Sequence, residues 1–299
     1  MLSRRSLLVA PLFATATGAY GVGIEPLLQT NVTRYRVTPE SWPAGLKLKV
    51  AAVADVHACE PWMDIERIEE IVHLTNGLGA DLIVLLGDYV AGHNKITAIV
   101  PDQEWAKALG RLRAPLGVHA ILGNHDWWAD KKAQRLGRGP IAARLALENA
   151  GIPVLENANA RLTKDGRDFW IAGLAEQEAI LGYSSGRYVK RGVDDLDATL
   201  AGVPADAPVV LLVHEPDIFP RVPERVAVTL AGHTHGGQVR LLGNALFAPS
   251  DLSLTYCYGH FFEGGRHLIV SGGLGCSWWP VRFGMPPEIV LVEIEGPAT

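Results

Sequence analysis

Cysteine is scarce. The 299 residues hold three, Cys59, Cys257 and Cys276, too few and too scattered for a disulfide scaffold or a zinc ribbon. A surplus of one charge is also missing: 27 basic against 32 acidic side chains leave a formal net charge of −5. With no Lys/Arg block either, stable nucleic-acid binding is not expected. Beyond residue 30, no apolar stretch is long enough to span a bilayer. No Pro/Ser-rich linker, charge run or internal repeat divides the chain. What is present is the balance of a folded globular protein, 48% hydrophobic and 20% charged, together with ten histidines.

The start of the chain reads as targeting rather than fold. Ser3-Arg4-Arg5-Ser6-Leu7-Leu8 opens it, and no charge follows from Ser6 to Ile24. A basic start before an uncharged middle is the layout of a bacterial export signal, and the paired arginines resemble the twin-arginine motif. Ala14-Thr15-Ala16 and Thr17-Gly18-Ala19 offer cleavage sites. The same run is long enough to act as a plain anchor. Residues 1–30 are therefore expected to be a twin-arginine-like signal peptide or an N-terminal anchor. The expected location is periplasmic, or membrane-anchored facing the periplasm, with the twin-arginine export machinery as a partner.

Residues 31–299 are expected to form one catalytic domain. Thr33–Thr38 alternates like a strand, and Leu46–Ala54 is a buried strand. Asp64–Leu78 has helical spacing, with Asp64 as N-cap and Gly79 as stop. Asp81–Leu86 and Gly117–Leu122 are further strands, and Trp105–Leu112 and Ile141–Ala150 further helices. This βαβ alternation predicts a parallel sheet. The second half is richer in strands. Asp165-Gly166 reads as a hairpin turn, and Val209–Val213, Val226–Ala231, Val239–Leu242, His267–Ser271 and Ile289–Ile294 read as strands. The fold class is α/β with two sheets.

Five apolar runs each finish in Asp, Asn or His. They lead into Asp55-Val56-His57, Gly87-Asp88, Gly123-Asn124-His125-Asp126, His214, and Gly232-His233-Thr234-His235. In an open α/β sheet the carboxyl ends of the strands converge on one crevice. One such residue would pass for an N-cap or a turn. Five in the same relative position predict a site of imidazole, carboxylate and amide donors, the mixture that suits Mn, Fe or Zn.

These motifs, in this order, resemble the calcineurin-like metallophosphoesterase superfamily, over residue 47 to the C-terminus. The resemblance implies a four-layer α/β/β/α sandwich with two mixed sheets. It implies two divalent metal ions, with Asp55, His57 and His235 on one, Asn124, His214 and His233 on the other, and Asp88 bridging. It implies that a hydroxide held between the metals attacks a phosphodiester or other phosphate ester. His125 would face the substrate and protonate the leaving oxygen, and Asp126 would orient His125. Gly232-His233-Thr234-His235-Gly236-Gly237-Gln238 and the Ser271–Gly275 and Pro286–Ile289 segments resemble a bacterial branch of exported or membrane-associated phosphodiesterases. Some of that branch hydrolyse UDP-2,3-diacylglucosamine, so a lipid or nucleotide-phosphate substrate and an association with the membrane are the alternatives. A non-catalytic metal-binding module is the third reading, weakened because no ligand is missing.

The remaining residues carry less. Cys59 is a packing residue or a ligand near the first metal. Trp127-Trp128 and Trp278-Trp279 are rim aromatics or core. Arg282 is a salt-bridge partner or a phosphate clamp. His73, His93, His119 and His260 have no assigned role.

Overall fold

Strict alternation along the buried strands decides which side chain faces which layer. A computed structural model describes residue 18 and residues 20–297. In chain order the main strands are β1 (Asn31–Val37), β2 (Lys47–Val53), β3 (Leu82–Leu86), β4 (Val118–Ile121), β5 (Ala158–Lys164), β6 (Arg167–Gly173), β7 (Val209–Leu212), β8 (Val226–Ala231), β9 (Gly259–Glu263), β10 (Arg266–Val270) and β11 (Glu288–Glu295). One sheet has the order β1-β11-β2-β3-β4 and the other β9-β10-β8-β7-β6-β5. Both are mixed. In the first, β11 runs parallel to β1 and antiparallel to β2, and β2, β3 and β4 are mutually parallel. In the second, β6, β7, β8 and β10 are parallel, and the edge strands β5 and β9 are antiparallel.

Three buried clusters separate four layers. Val50, Ala52, Leu82, Val84 and Leu86 point inward and meet Phe169, Ile171, Val210, Leu212 and Leu230 between the sheets. Their neighbours Ala51, Val53, Ile83 and Leu85 point outward onto the helices Ile65–Asn76, Asp102–Leu109 and Ala142–Asn149. A one-residue slip in β3 would exchange the two faces, so both clusters fix its register. Val209, Leu211 and Val213 face the far side of the second sheet, against Leu196, Ile218 and Phe219. The layering is the expected α/β/β/α.

Local signals account for the boundaries. Asp64 caps the first long helix, its carboxylate accepting from the Arg67 backbone N–H at 2.9 Å. The regular helix ends at Asn76, its last turn runs on through Gly77 and Leu78, and Gly79, left-handed at φ 62°, stops it as expected. Lys164 pairs with Arg167 across Asp165 and Gly166, both left-handed, as a two-residue type I′ hairpin requires. The strand expected at Val239–Leu242 is only a two-residue ladder, Arg240–Leu241 against Asn244–Ala245.

Residues 1–17 and 19, with the twin arginines Arg4-Arg5, lie outside the described residues. The rest of the stretch expected to be targeting is packed on the domain. Tyr20–Ile24 and Glu25–Leu28 form two short helical turns. Glu25 is buried, and its carboxylate accepts from the backbone N–H groups of Gly284 and Met285 at 3.0 and 2.6 Å. Among the described residues no helix is long and apolar enough to cross a membrane.

Candidate metal centre

Five strand ends meet at one edge of the sandwich. Asp55 and His57 follow β2, Asp88 follows β3, and Asn124 opens a helix after β4 (Asn124–Ala129). His214 follows β7, while His233 and His235 follow β8. All seven are buried. Asp55, His57, Asp88, His233 and His235 have φ between 49 and 69°, the left-handed region that non-glycine residues seldom occupy. Such strain persists where the surroundings over-determine it and concentrates at functional sites. The neighbouring glycines are required by space: a Cβ on Gly123 would lie 2.3 Å from Asp88 Oδ1.

Backbone carbonyls set the ring orientations. A carbonyl can only accept, so His57 Nδ1–H donates to Val90 O at 2.8 Å and His214 Nδ1–H to Leu86 O at 2.7 Å. Both Nε2 atoms are thereby turned into the site. His57 Nε2 lies 3.1 Å from His235 Nε2. Asn124 Oδ1 lies 3.1 Å from His214 Nε2 and 2.9 Å from His233 Nδ1. Asp88 Oδ2 sits between the two groups, 3.6 Å from His57 Nε2 and 3.3 Å from His214 Nε2. Asp88 Oδ1 accepts from the His125 N–H at 2.9 Å.

This donor set fits divalent cations. The donor atoms of Asp55, His57 and His235 lie within 4.8 Å of one another, as do those of Asp88, His214 and His233. Asp55 Oδ2 is buried with no hydrogen-bond partner, and burial pushes that carboxyl up to about 7. Burial holds His57 down to about 3 and keeps His233 and His235 well below the usual imidazole range, so they offer lone pairs. His214 differs: burial pulls it down, but the Asp88 carboxylate outweighs that and holds its proton well above the usual range. A buried carboxylate without a partner and facing imidazole nitrogens are costly alone and relieved by a cation.

His125 stands at the opening. Its ring centroid lies 5.0 Å from those of His57 and Trp128, and Nε2 is 3.2 Å from Ser277 Oγ. Burial lowers its pKa. Asp126 does not play the part expected of it. Both its oxygens are taken by backbone N–H groups: Gly123 and Asp88 at 2.9 Å, Tyr89 at 2.8 Å and Val90 at 3.2 Å. Its carboxylate ties the turn after β3 to the helix start, and His125 is held through Asp88 and Ser277 instead.

Arg282 is neither a phosphate clamp nor half of a salt bridge. It is fully buried behind the site, donates to the carbonyls of Gly272, Gly275 and Met285, and has Nη2 3.2 Å from His235 Nδ1. Cys59, Cys257 and Cys276 are free and buried; burial pushes the Cys59 thiol up to about 11, and among the described residues Cys59 joins none of the donor groups that could hold an ion. The two tryptophans after His125 divide. Trp127 enters the core, while Trp128 faces the groove and donates to Glu178 O at 2.8 Å. His73 is exposed, His93 packs on Trp62, and His260 stacks on His267.

From this floor a groove of about 740 Å³ opens. Trp128, Tyr188, Lys190, Phe247, Trp278 and Trp279 line its walls. Lys190 and Ser277 were not singled out from the sequence, and no spacing marks them; Gln238 closes the Gly232–Gln238 string.

Comparison with known proteins agrees with this geometry. The model of the family described as calcineurin-like phosphoesterase matches residues 48–237. An uncharacterised metallophosphoesterase of Aquifex aeolicus is 29% identical, over 89% of this chain and 92% of the relative. Phosphodiesterase YaeI of Escherichia coli is 27% identical, over 98% of this chain and 100% of its own. UDP-2,3-diacylglucosamine pyrophosphatase LpxG of Chlamydia trachomatis is 26% identical, over 97% and 96%.

Proposed function

The chain belongs to the calcineurin-like phosphoesterase family, and from that premise we propose that this metal-dependent phosphoric ester hydrolase is a two-metal phosphodiesterase acting outside the cytoplasm. The reading rests on Asp88 Oδ2, which lies within reach of both His57 and His214 and so joins two donor groups into one centre. Asp55, His57 and His235 would hold one divalent ion, and Asn124, His214 and His233 the other, with Asp88 common to both. When bound, the ions neutralise phosphoryl oxygens and acidify a water near neutral pH. Imidazole, carboxylate and amide donors without thiolate favour Mn, Fe or Zn.

The chain's own residues supply the rest. His125 also comes within reach of the His57 and Asp88 donor atoms, but it faces the groove, where its imidazole, once protonated, would donate to the departing oxygen. Ser277 holds His125 Nε2, and Lys190, paired with Glu178, lies on the groove wall. The groove continues past His125, leaving room for the second ester arm of a diester. The phosphodiesterase name of the Escherichia coli relative supports the same choice. The Arg4-Arg5 pair before an uncharged run supports export.

Hydrolysis of bis(p-nitrophenyl) phosphate and p-nitrophenyl phosphate by metal-depleted and Mn²⁺-reconstituted protein tests this reading. The diester should be turned over faster, and only with metal. Faster monoester turnover would overturn the diester assignment, and wild-type rates in Asp88→Ala would overturn the centre.

A second reading has specific support. A substrate such as UDP-2,3-diacylglucosamine, named for the Chlamydia relative, carries acyl chains that the apolar groove wall could cover. That substrate is cytoplasmic. A reporter fused after residue 40 separates the two readings by the side of the membrane on which it is active.

A further inference from the structure

Two loops beside the groove put large apolar side chains where soluble proteins put polar ones. The Arg240–Leu241 and Asn244–Ala245 ladder is closed by Leu242-Gly243, both left-handed. Asn, Asp or Gly normally fills the first position of such a turn. Here it is Leu242, fully exposed at the tip. Trp278 also has a left-handed φ, 67°, and is 59% exposed. Trp279, Leu246, Phe247 and Leu241 are each at least half exposed. Leu246, Phe247, Trp278 and Trp279 share the groove mouth, with Leu241 and Leu242 on the adjoining hairpin, and exposed apolar side chains gathered in this way mark an interaction site.

Hydrogen bonds make the patch one unit. Arg240 N–H donates to Phe283 O at 2.8 Å, and Phe283 N–H to Gln238 O at 2.9 Å. Phe247 packs on Trp278 with centroids 4.8 Å apart. Arg282 N–H donates to Gly21 O at 2.9 Å, and the Tyr20 ring meets Phe283 edge-on. Tyr20 and Gly21 therefore meet the domain beside the patch. Lys95 Nζ lies 5.2 Å from the Trp279 ring; Lys190 Nζ, 5.2 Å from the Trp128 ring, is neutralised by Glu178, so the charge offered beside the patch is that of Lys95. Tryptophan beside lysine at an apolar boundary suits the headgroup layer of an anionic bilayer.

We propose that the Leu242 hairpin and Trp278-Trp279 form a bilayer-docking face. Through it the enzyme takes a phosphodiester whose apolar chain stays with the membrane while its phosphate reaches the metal centre. The substrate clause rests on the phosphodiesterase reading above; the docking clause does not.

The test uses full-length, metal-loaded protein and phosphatidylglycerol–phosphatidylcholine vesicles with brominated acyl chains, which quench tryptophan on contact. Wild-type emission should be quenched. Leu241→Asp/Leu242→Asp, a change confined to exposed positions, should weaken the vesicle dependence of quenching by roughly tenfold or more. Trp278→Phe/Trp279→Phe should remain on the vesicles in flotation and lose the quenching. An anchor in residues 1–24 could hold the protein on vesicles; it contains no tryptophan itself, but Trp62 donates to Val22 O at 3.3 Å, so the quenching series is run in a Trp62→Phe background. No wild-type quenching, or quenching that survives Trp278→Phe/Trp279→Phe, overturns the docking face. A concentration-dependent dimer abolished by Leu241→Asp/Leu242→Asp would assign the patch to a second copy and also overturn it.

For the substrate clause, Leu241→Asp/Leu242→Asp should lower turnover of an acylated phosphodiester in vesicles by about tenfold, while soluble bis(p-nitrophenyl) phosphate stays within about twofold. Equal losses on both substrates overturn that clause. If wild type hydrolyses neither, the phosphodiesterase reading fails, and the quenching result still decides the docking face.

Discussion

At the floor of the groove, seven donor side chains are buried, and several are fixed from behind by a carbonyl or a backbone N–H. At its rim, Leu242, Leu246, Phe247, Trp278 and Trp279 stand in solvent on loops with few partners. The floor is preorganised for one chemistry, because every donor follows a strand that two core clusters hold in register. The rim is a surface, and on the docking proposal its composition would select what is brought to that chemistry. The difference separates changes that stop turnover from changes that redirect it.

Asp88→Ala attacks the floor where it is shared. Turnover should fall by roughly 10³-fold or more, because both donor groups lose a ligand. Metal analysis should show fewer than two ions per chain. His125→Ala should cost about 10²–10³-fold in kcat with both ions retained, the signature of a lost proton donor. Loss of metal in that variant would make His125 a ligand and move it to the floor.

Asp126→Ala should act on stability before chemistry. Four backbone N–H groups would lose their acceptor, at a cost of about 3–5 kcal/mol in urea denaturation. A variant that unfolds normally but loses activity would restore the orienting role expected from the sequence. Metal binding should strengthen as pH rises through about 7. Burial holds the Asp55 carboxyl up to that value in the metal-free chain, so below it a proton competes with the cation. His57, already neutral at about 3, adds nothing in that window. The thermal shift on adding Mn²⁺ should thus be larger at pH 8 than at pH 6. The smallest effect belongs to the rim: Trp278→Ala should change KM for a soluble diester by no more than about threefold. A larger loss would place Trp278 in contact with the reacting group.

The same division governs what could be read from sequence. Asp55, Asp88, Asn124 and His214 were legible because a polar residue ending a buried strand is a local pattern with a spatial meaning. Two sheets followed from the strand-like runs, and the four layers from the family resemblance. The hairpin Ile180–Ser184 and Arg187–Arg191, which brings Tyr188 and Lys190 to the groove, carries no such pattern. Ser277 reaches His125 across 152 positions of chain, and nothing local announces that. Asp126 misled because its position beside His125 says nothing of direction. As the third residue of its helix it turns back to the Gly123 N–H and across to those of Asp88, Tyr89 and Val90. Trp127 and Trp128 are neighbours in sequence, yet successive helical positions diverge by a quarter turn, which sends one inward and the other to the groove.

β11 lies between β1 and β2, so the sheet that carries Asp55, His57, Asp88 and Asn124 is completed by a strand made some 240 residues after β2. Until that strand arrives, β2 has an open flank and β1 has no neighbour in the sheet. Such non-local pairing is slow to form, since loop closure must precede the contacts that reward it. The metal centre thus matures late, after synthesis has passed residue 288, and a chain halted short of that point should leave the ribosome unable to retain its ions.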